Sequence, residues 1–314
     1  MLHEHEGVLC TPAELVRSRH PHARVRITPT SRVQSRNAGP YDSTFRGRGM
    51  EFDETRPYQA GDDIRTIDWR VTARTGRVHT KLFHEERERP VLFLVDQRSA
   101  MRFGTRHAFK SVQAARTAAM LAWAARDAGD RVGGILLTTQ GHAEIRPQGS
   151  RERLMAFLHR IADATGASEA NGRELTLAEG LARLERVARP GTLVFVLSDF
   201  RDLDDDAESA LIRLSLRADV ACLRLFDALE EKVPQADGLK VSDGVRVHAL
   251  GGRDAIFRRA WEGRFHEAQA RLERLCRTRR MGFFALRTDD DPRALLESPA
   301  LAHAFHRTAE GALR

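Results

Sequence analysis

The chain contains few cysteines, and Cys10, Cys222 and Cys276 lie far apart in the sequence. Their odd number and the lack of a C-x-x-C pair argue against a disulfide framework and against a zinc site. No apolar run approaches the roughly 20 residues of a membrane-spanning helix. The N-terminus also lacks the basic start and apolar centre of a signal peptide. The sequence therefore predicts a cytoplasmic protein with reduced thiols and no membrane-inserted segment.

Common enzyme motifs are also missing. The sequence has no G-x-x-x-x-G-K-[ST] loop for nucleotide phosphates and no G-x-S-x-G nucleophile turn. The segments HEER at His84 and HEAQ at His266 lack the second histidine of an H-E-x-x-H metal helix. We therefore predict no catalytic residue and expect a protein without enzymatic activity.

Lysine is scarce, although the chain is basic overall. It has 51 basic and 44 acidic residues and a formal net charge of +7, but lysine occurs only at positions 81, 110, 232 and 240. The arginines are spread among acidic residues, whereas a phosphate-binding stripe would concentrate positive charge on one segment or face. We therefore expect no nucleic-acid partner. A nucleic-acid binder would instead show a steep dependence on salt.

After Pro90 the chain alternates apolar runs with amphipathic segments. The runs predict strands over residues 91–95, 131–138, 193–197, 220–226 and 283–286. The segments predict helices over residues 107–128, 151–164, 175–188, 205–217 and 254–280. Continuous apolar strands between helices are typical of a mostly parallel sheet with helices on both faces. Residues 90–314 are therefore predicted to form an α/β domain, with a β insertion near 231–250.

The part before Pro90 has a different composition. Residues 1–40 contain four prolines and predict an N-terminal arm with one helix, for which Thr11 is a suitable cap and Pro12 a suitable first residue. Residues 41–89 are polar with short alternations, which predicts strands and turns. We expect this second segment to form a separate β-rich module.

The module mixes arginines and aspartates around Trp69. These charges could form arginine–carboxylate pairs that hold the loops in place, or they could form a partner surface with Trp69 and Tyr58 at its centre. Trp69 is accordingly either a core residue or an interface residue. The candidate partner-surface residues are Arg48, Glu51, Asp53, Arg56, Tyr58, Asp62, Asp63, Arg65, Asp68, Trp69 and Arg74.

The same segment carries a resemblance to a known family. The matching residues are Gly47, Gly49, Glu51, Phe52, Asp53, Arg56, Tyr58, Gly61, Asp62, Asp63, Arg65, Ile67, Asp68, Trp69, Ala73 and Arg74. Their spacing resembles the signature of DUF58, a family of MoxR-associated proteins. VFVLSDF at 194–200 and LFDALEEKVP at 225–234 are similar to later parts of that family.

The resemblance implies a fold and a function. The fold is a von Willebrand factor A-like, Rossmann-like sheet preceded by a β-rich extension. The function is that of a non-enzymatic adaptor that works with a MoxR-type AAA+ ATPase and other von Willebrand factor A-like proteins in the assembly or activation of protein complexes.

Two aspartates follow the central predicted strands. Asp96 and Asp199 should lie near each other, because ligands of open α/β sheets bind beyond the carboxyl ends of the strands. In the von Willebrand factor A fold this edge holds a divalent metal through D-x-S-x-S and further oxygen ligands. The resemblance therefore implies a degenerate metal site of Asp96, Ser99 and Asp199.

The metal motif is altered at several positions. Arg98 and Ala100 stand where the two serines would be, and Leu175 stands where the threonine of a second loop would be, with Thr176 one residue later. Arg98 could therefore pair with Asp96 or Asp199 and substitute for the ion, in which case no cofactor is needed. In the alternative, the chain is a regulatory domain that keeps a magnesium-dependent ligand site at this edge.

Overall fold

The computed structural model describes residues 7–19, 50–59, 64–85, 89–166, 173–242, 246–297 and 301. The chain divides into two compact units. The larger unit comprises Met1–Arg32 and Arg89–Arg314, and the smaller unit comprises Val33–Glu88. These boundaries differ from the predicted division after residues 40 and 89, because the N-terminal helix belongs to the larger unit and is not part of a separate arm.

Helices and strands alternate along most of the described chain. The helices are α1 (Pro12–Arg17), α2 (Trp69–Thr75), α3 (Lys110–Asp127), α4 (Arg151–Thr165), α5 (Leu177–Val187), α6 (Asp205–Ser215), α7 (Ala228–Glu231), α8 (Ala255–Thr278) and α9 (Arg293–Glu297). The strands are β1 (Met50–Pro57), β2 (His79–Glu85), β3 (Pro90–Gln97), β4 (Arg131–Thr138), β5 (Gly141–Gln148), β6 (Thr192–Ser198), β7 (Ala218–Phe226), β8 (Lys240–Ser242), β9 (Val247–Ala249) and β10 (Gly282–Arg287). None of the helices in the described ranges is long and apolar enough to cross a bilayer.

Six strands of the larger unit form one sheet in the order β10-β7-β6-β3-β4-β5. All neighbouring pairs are parallel except β4 and β5. This order is that of a doubly wound sheet, in which the chain runs outward from the centre in one direction and then in the other. The predicted fold class, a mostly parallel α/β sheet, is confirmed, and all five predicted strands are present.

Strand β5 was not predicted, and its burial pattern explains why. Its side chains alternate between partly buried and exposed, so it has no continuous apolar run. An antiparallel strand at a sheet edge needs to bury only part of its surface, whereas the central strands β3 and β6 are covered on both faces. The apolar signal of the sequence therefore identifies the five parallel strands and misses the antiparallel edge strand β5.

The sheet packs helices on both faces. Alternate residues of β3 point to opposite sides, so Val91, Phe93 and Val95 contact one core cluster and Leu92 and Leu94 the other. The first cluster includes residues of α1, α3 and α4, and the second includes residues of α5, α6 and α8. Helix α3 is buried along most of its length, which its many alanines allow.

Helix α1 packs on the larger unit through a few specific contacts. Thr11 caps the helix and Pro12 occupies its first turn, as the sequence predicts. Leu15 is fully buried, and its carbonyl oxygen accepts a hydrogen bond from Trp123 Nε1 at 3.2 Å. The amide of Cys10 donates to Thr165 Oγ1 at 3.0 Å. These contacts explain why the described part of the N-terminal segment belongs to the larger unit.

The smaller unit combines a two-stranded antiparallel sheet, β1 with β2, and the helix α2 between them. Asp68 Oδ1 caps α2 by accepting hydrogen bonds from the amides of Arg70 and Val71 at 3.0 and 3.1 Å. Gly76 ends the helix in the left-handed conformation, with φ of 70°. Helix α2 was not predicted, because it buries no side chain and therefore lacks an apolar stripe.

The predicted β insertion contains a small hairpin. Strands β8 and β9 pair antiparallel, with Val241 opposite His248. The hairpin is a separate two-stranded sheet and does not extend the central one.

Arg89 and Asp130 lie at the amino edge of the central sheet. The Arg89 amide donates to Asp130 Oδ1 at 3.1 Å, and its guanidinium donates to the carbonyl of Gly191 at 3.0 Å and to Asp219. Asp130 is 6% exposed. Burial raises the pKa of Asp130 to about 6, although the hydrogen bond from the Arg89 amide and the Arg89 charge act in the opposite direction.

This raised pKa predicts a pH-dependent cost of ionising Asp130. Below the pKa of Asp130 in the unfolded chain, the carboxyl is protonated in both states and does not lower the free energy of unfolding. As pH rises through the folded pKa of about 6, this part of the free energy of unfolding is lost, because the buried group then has to ionise. In Asp130→Asn the amide oxygen keeps the Arg89 hydrogen bond without a charge. The variant should gain about 2 kcal/mol of unfolding free energy relative to wild type between pH 4 and pH 7. Urea denaturation at both pH values measures this, and a pH-independent difference would contradict it.

Candidate functional site

The carboxyl edge of the central sheet collects the two aspartates that the sequence places there. Asp96 lies near the end of β3, and Asp199 directly follows β6, the parallel neighbour of β3. Ser198 Oγ donates to Asp96 Oδ2 at 2.7 Å, which joins the ends of the two strands. Asp96 and Asp199 therefore lie at the same edge of the sheet. What each carboxylate can bind depends on the groups with which it already pairs.

Arg98 forms a bidentate pair with Asp96. Its Nε donates to Asp96 Oδ1 at 2.9 Å, and its Nη2 donates to Asp96 Oδ2 at 2.7 Å. Asp96 is 1% exposed, so the pair is shielded from water. Two parallel N–H···O bonds hold a guanidinium in a defined orientation. Arg98 therefore engages both carboxylate oxygens of Asp96, the atoms that a metal ion would need.

The same guanidinium reaches the loop after β6. Arg98 Nη1 donates to Asp202 Oδ2 at 2.6 Å and to the carbonyl of Leu175 at 3.1 Å, and Nη2 donates to Asp202 Oδ1 at 3.0 Å. Burial alone would raise the pKa of Asp202, but the hydrogen bonds from Arg98 and from the Leu177 amide outweigh it and lower the pKa. The sequence suggests Asp96 or Asp199 as the partner of Arg98. In the structure Arg98 pairs with Asp96 and also with Asp202.

Asp199 has a different cation, Lys110 in the first turn of α3. Lys110 Nζ donates to Asp199 Oδ2 at 2.7 Å and to Glu230 Oε1 at 2.8 Å, and the lysine is 0% exposed. Burial opposes its charge, but Asp199 and Glu230 outweigh that effect and raise the pKa of Lys110. The ammonium group therefore links the loop after β6 to helix α7.

A third buried carboxylate, Asp227, follows β7. It accepts hydrogen bonds from the amide and hydroxyl of Thr105 at 3.0 and 2.6 Å, and from Thr288 Oγ1 at 2.7 Å. Burial would raise its pKa, but these bonds together with the Leu229 amide lower it. Asp227 therefore connects the loops that follow β3, β7 and β10.

The remaining candidate metal ligands are also engaged. The Ser99 amide and hydroxyl both donate to the Glu174 carboxylate at 3.0 Å. Thr176 Oγ1 accepts from the Glu179 amide as the cap of α5. A divalent cation at Asp96 and Asp199 would have to displace the Arg98 guanidinium and the Lys110 ammonium group.

The donor set at this edge therefore does not fit the divalent metal that the fold family implies. Among the described residues, no group of three or more histidine, cysteine, aspartate or glutamate side chains is arranged to hold an ion. Asp96, Ser99 and Asp199, the predicted degenerate metal site, do not form one ligand set. Asp96 belongs to a buried salt-bridge network around Arg98, and Asp199 belongs to a second network around Lys110.

Sequence reasoning missed three members of these networks: Lys110, Asp202 and Glu230. Lys110 was one of only four lysines and stands at the start of a helix, but no motif marked it. Asp202 begins an acidic run that precedes a predicted helix, and nothing in the run points to Arg98. Their partners lie 89 to 120 positions away in the sequence, and charge patterns on single elements contain no information on such distant pairs.

The candidate partner surface lies on the smaller unit. Arg48, Asp62 and Asp63 lie outside the described residues, as do the side chains of Glu51 and Asp53. Arg65 and Arg74 are exposed, while Arg56, Tyr58 and Asp68 are partly buried.

Trp69 is 67% exposed at the start of α2, so it is not a core residue. Ile64 and Val78 of the same unit are also among the exposed large hydrophobic residues of the described chain. The described part of the smaller unit thus exposes three large apolar side chains.

These features define an α/β protein with a doubly wound sheet whose carboxyl edge is held by its own arginine and lysine. The family model described as "Protein of unknown function DUF58" matches residues 54–271. The chain belongs to the DUF58 family, and the resemblance seen in the sequence is confirmed.

Curated relatives include Uncharacterized protein Rv1480 of Mycobacterium tuberculosis (strain ATCC 25618 / H37Rv) and Uncharacterized protein Mb1516 of Mycobacterium bovis (strain ATCC BAA-935 / AF2122/97). Each is 27% identical over 197 residues, which is 63% of this chain and 61% of the relative. The chain thus matches about three fifths of the length of these relatives.

Two solved structures are similar to parts of the chain. The conserved hypothetical protein BatB from Bacteroides thetaiotaomicron has a TM-score of 0.40 and 13% identity, and the match covers 69% of this chain and 98% of BatB. A von Willebrand factor type A protein from Catenulispora acidiphila has a TM-score of 0.35 and 16% identity, over 74% of this chain and 44% of that one. The strand order of the sheet, and not these similarities, defines the fold class.

The buried Arg98 network predicts a large effect of its removal. Arg98→Ala would leave Asp96 and Asp202 without their cation, which should lower the free energy of unfolding by about 3 to 5 kcal/mol. Urea denaturation followed by circular dichroism measures the change. Arg173→Ala is a matched control, because Arg173 pairs with Glu179 at 3.2 Å but its side chain is 74% exposed. That control should change stability by less than about 1 kcal/mol, and equal effects of the two variants would contradict the prediction.

Proposed function

We propose that the chain is a non-enzymatic adaptor that binds a MoxR-type AAA+ ATPase, together with other von Willebrand factor A-like proteins, during the assembly or activation of protein complexes. Its membership of the DUF58 family supports this proposal. The observation that carries it is the state of the carboxyl edge, where Arg98 and Lys110 neutralise the carboxylates that could otherwise bind a metal or act as acid and base.

The chemistry of that edge supports binding in preference to catalysis. A general acid or base has to exchange protons with a substrate, but Asp96 is shielded from water and both of its oxygens accept from Arg98. Asp199 is tied to Lys110 in the same way. Both networks join loops from different strands, and this gives the larger unit rigid loops that can present a surface without reorganising.

The alternative, a regulatory domain with a magnesium-dependent ligand site, has less support. Magnesium requires near-ideal geometry from several oxygen ligands. Here those oxygens already accept from guanidinium, ammonium and amide groups.

Trp69 is the best candidate for a contact with the ATPase. Tryptophan and arginine are enriched at the energetic centres of protein interfaces, and Trp69 is exposed on a helix that also carries Arg70 and Arg74. A large aromatic side chain in water gains free energy when a partner covers it. We therefore assign the ATPase contact to the smaller unit.

The test uses the purified full chain and the matching MoxR-type ATPase in its ATP-bound state. Wild type should co-elute with the ATPase. Trp69→Ala should bind about thirtyfold more weakly, which corresponds to about 2 kcal/mol. Its stability should change by no more than about 0.5 kcal/mol, because the side chain is mostly exposed.

Leu216→Ala is the matched control, because Leu216 is also an exposed large hydrophobic residue but belongs to the larger unit. It should leave both binding and stability unchanged. Absence of any wild-type association in the presence of ATP would reject the partnership. Equal binding by wild type and Trp69→Ala would reject the role of Trp69.

A further inference from the structure

An open cavity of about 1480 Å³ lies beside the carboxyl edge of the larger unit. Its walls come from the loop after β3, from the segment that starts with α7, and from strand β8. Thr139 after β4 and Arg287 at the end of β10 complete the lining. The volume exceeds the roughly 300 to 1,000 Å³ of small-molecule pockets, so the cavity has room for a piece of polymer.

The lining of this cavity is strongly positive. It contains one acidic side chain, Glu231, and five basic ones: Arg102, Arg106, Lys232, Lys240 and Arg287. Arg287 pairs with Asp289. Arg106, Lys232 and Lys240 are exposed and form no ion pair with any residue in the described ranges. Two of the four lysines of the sequence therefore stand at this cavity, and neither pairs with a carboxylate among the described residues.

The lining also contains apolar side chains. Phe103, Phe109, Leu229, Leu239 and Val241 contribute to the lining. A ligand that fills the cavity must therefore carry apolar groups as well as negative charge. A bare phosphate would leave the apolar surface uncovered.

The aromatic rings favour a peptide over a single-stranded nucleic acid. Bases bind to such proteins by stacking on exposed aromatic faces. Here Lys110 Nζ lies 5.9 Å from the centroid of the Phe103 ring, and Phe109 packs against the hydrophobic core. Aliphatic side chains provide most of the remaining apolar surface.

The walls of the cavity are held by the networks of the carboxyl edge. Asp227 binds Thr105, which lies in the lining, and Lys110 binds Glu230 next to the lining residues Leu229 and Glu231. The loop after β3 and helix α7 are thus fixed relative to each other. A preformed site loses less conformational entropy on binding than a site that must first order itself.

We propose that this cavity binds an acidic segment of a partner protein in which aspartate or glutamate residues alternate with leucine or phenylalanine. The identity of the partner as a client of the ATPase rests on the proposed adaptor function, whereas the binding of the segment does not. The cations at the rim pair with the carboxylates of the segment, and its apolar side chains contact the phenylalanine, leucine and valine residues of the lining.

Fluorescence anisotropy with the full chain tests the proposal. The probes are labelled peptides of about eight residues, enough to cross the cavity when extended, in which Asp or Glu alternates with Leu or Phe in several orders. Matched peptides with Lys in place of the acids and a single-stranded DNA of the same charge are the comparison probes. Acidic peptides should bind, more weakly as salt rises, and the basic peptides and the DNA should bind at least about tenfold more weakly.

The double variant Lys232→Glu with Lys240→Glu should weaken binding of the acidic peptides by at least about tenfold. The matched control is Arg189→Glu with Arg217→Glu, which makes the same charge change at exposed residues preceding β6 and β7, at the opposite edge of the sheet. This control should bind as wild type does. Both positions of the test variant are exposed, so it should fold, and a thermal melt verifies this.

Several outcomes would overturn the proposal: no binding by any acidic peptide, equal binding by the DNA, or equal loss of binding in the two double variants. These outcomes are distinct from failure of the ATPase partnership. A chain that binds the acidic peptides but does not co-elute with the ATPase keeps the peptide site and loses the adaptor role. A chain that co-elutes with the ATPase but binds no acidic peptide keeps the adaptor role and loses the peptide site.

Discussion

The structure of the carboxyl edge depends on two positive charges that the chain buries there. Removing a guanidinium or an ammonium group from water is costly, and close carboxylates offset the cost only when the hydrogen-bond geometry is good. Arg98 meets this condition with Asp96 and Asp202, and Lys110 meets it with Asp199 and Glu230. Because these carboxylates follow different strands, the two cations also determine how the loops at this edge are arranged.

The sequence predicts the parallel strands of this fold well and its weakly buried elements poorly. Buried parallel strands need continuous apolar runs, so β3 and β6 are evident in the sequence, whereas β5 and α2 bury little and show no such signal. The strand ends likewise place Asp96 and Asp199 correctly. The cation of Asp199 could not be predicted, because Lys110 is brought there by the packing of α3 on the sheet and by no local motif.

The two compact units have different surface properties. The larger one covers its sheet with helices and places five basic side chains in one cavity beside the carboxyl edge. The smaller one has no buried side chain in its helix and exposes Trp69. The proposed adaptor function needs a separate contact area for each partner. Two surfaces of different chemistry reduce competition, because each partner gains free energy from binding only one of them.

The pairing of Asp96 with Arg98 has a consequence for regulation. A bound metal can dissociate, so a protein that relies on one responds to chelators and to changes in the divalent ion concentration of its surroundings. A guanidinium group is covalently attached and stays protonated across the physiological pH range. The arrangement of this edge in the described structure therefore does not depend on the supply of a divalent ion.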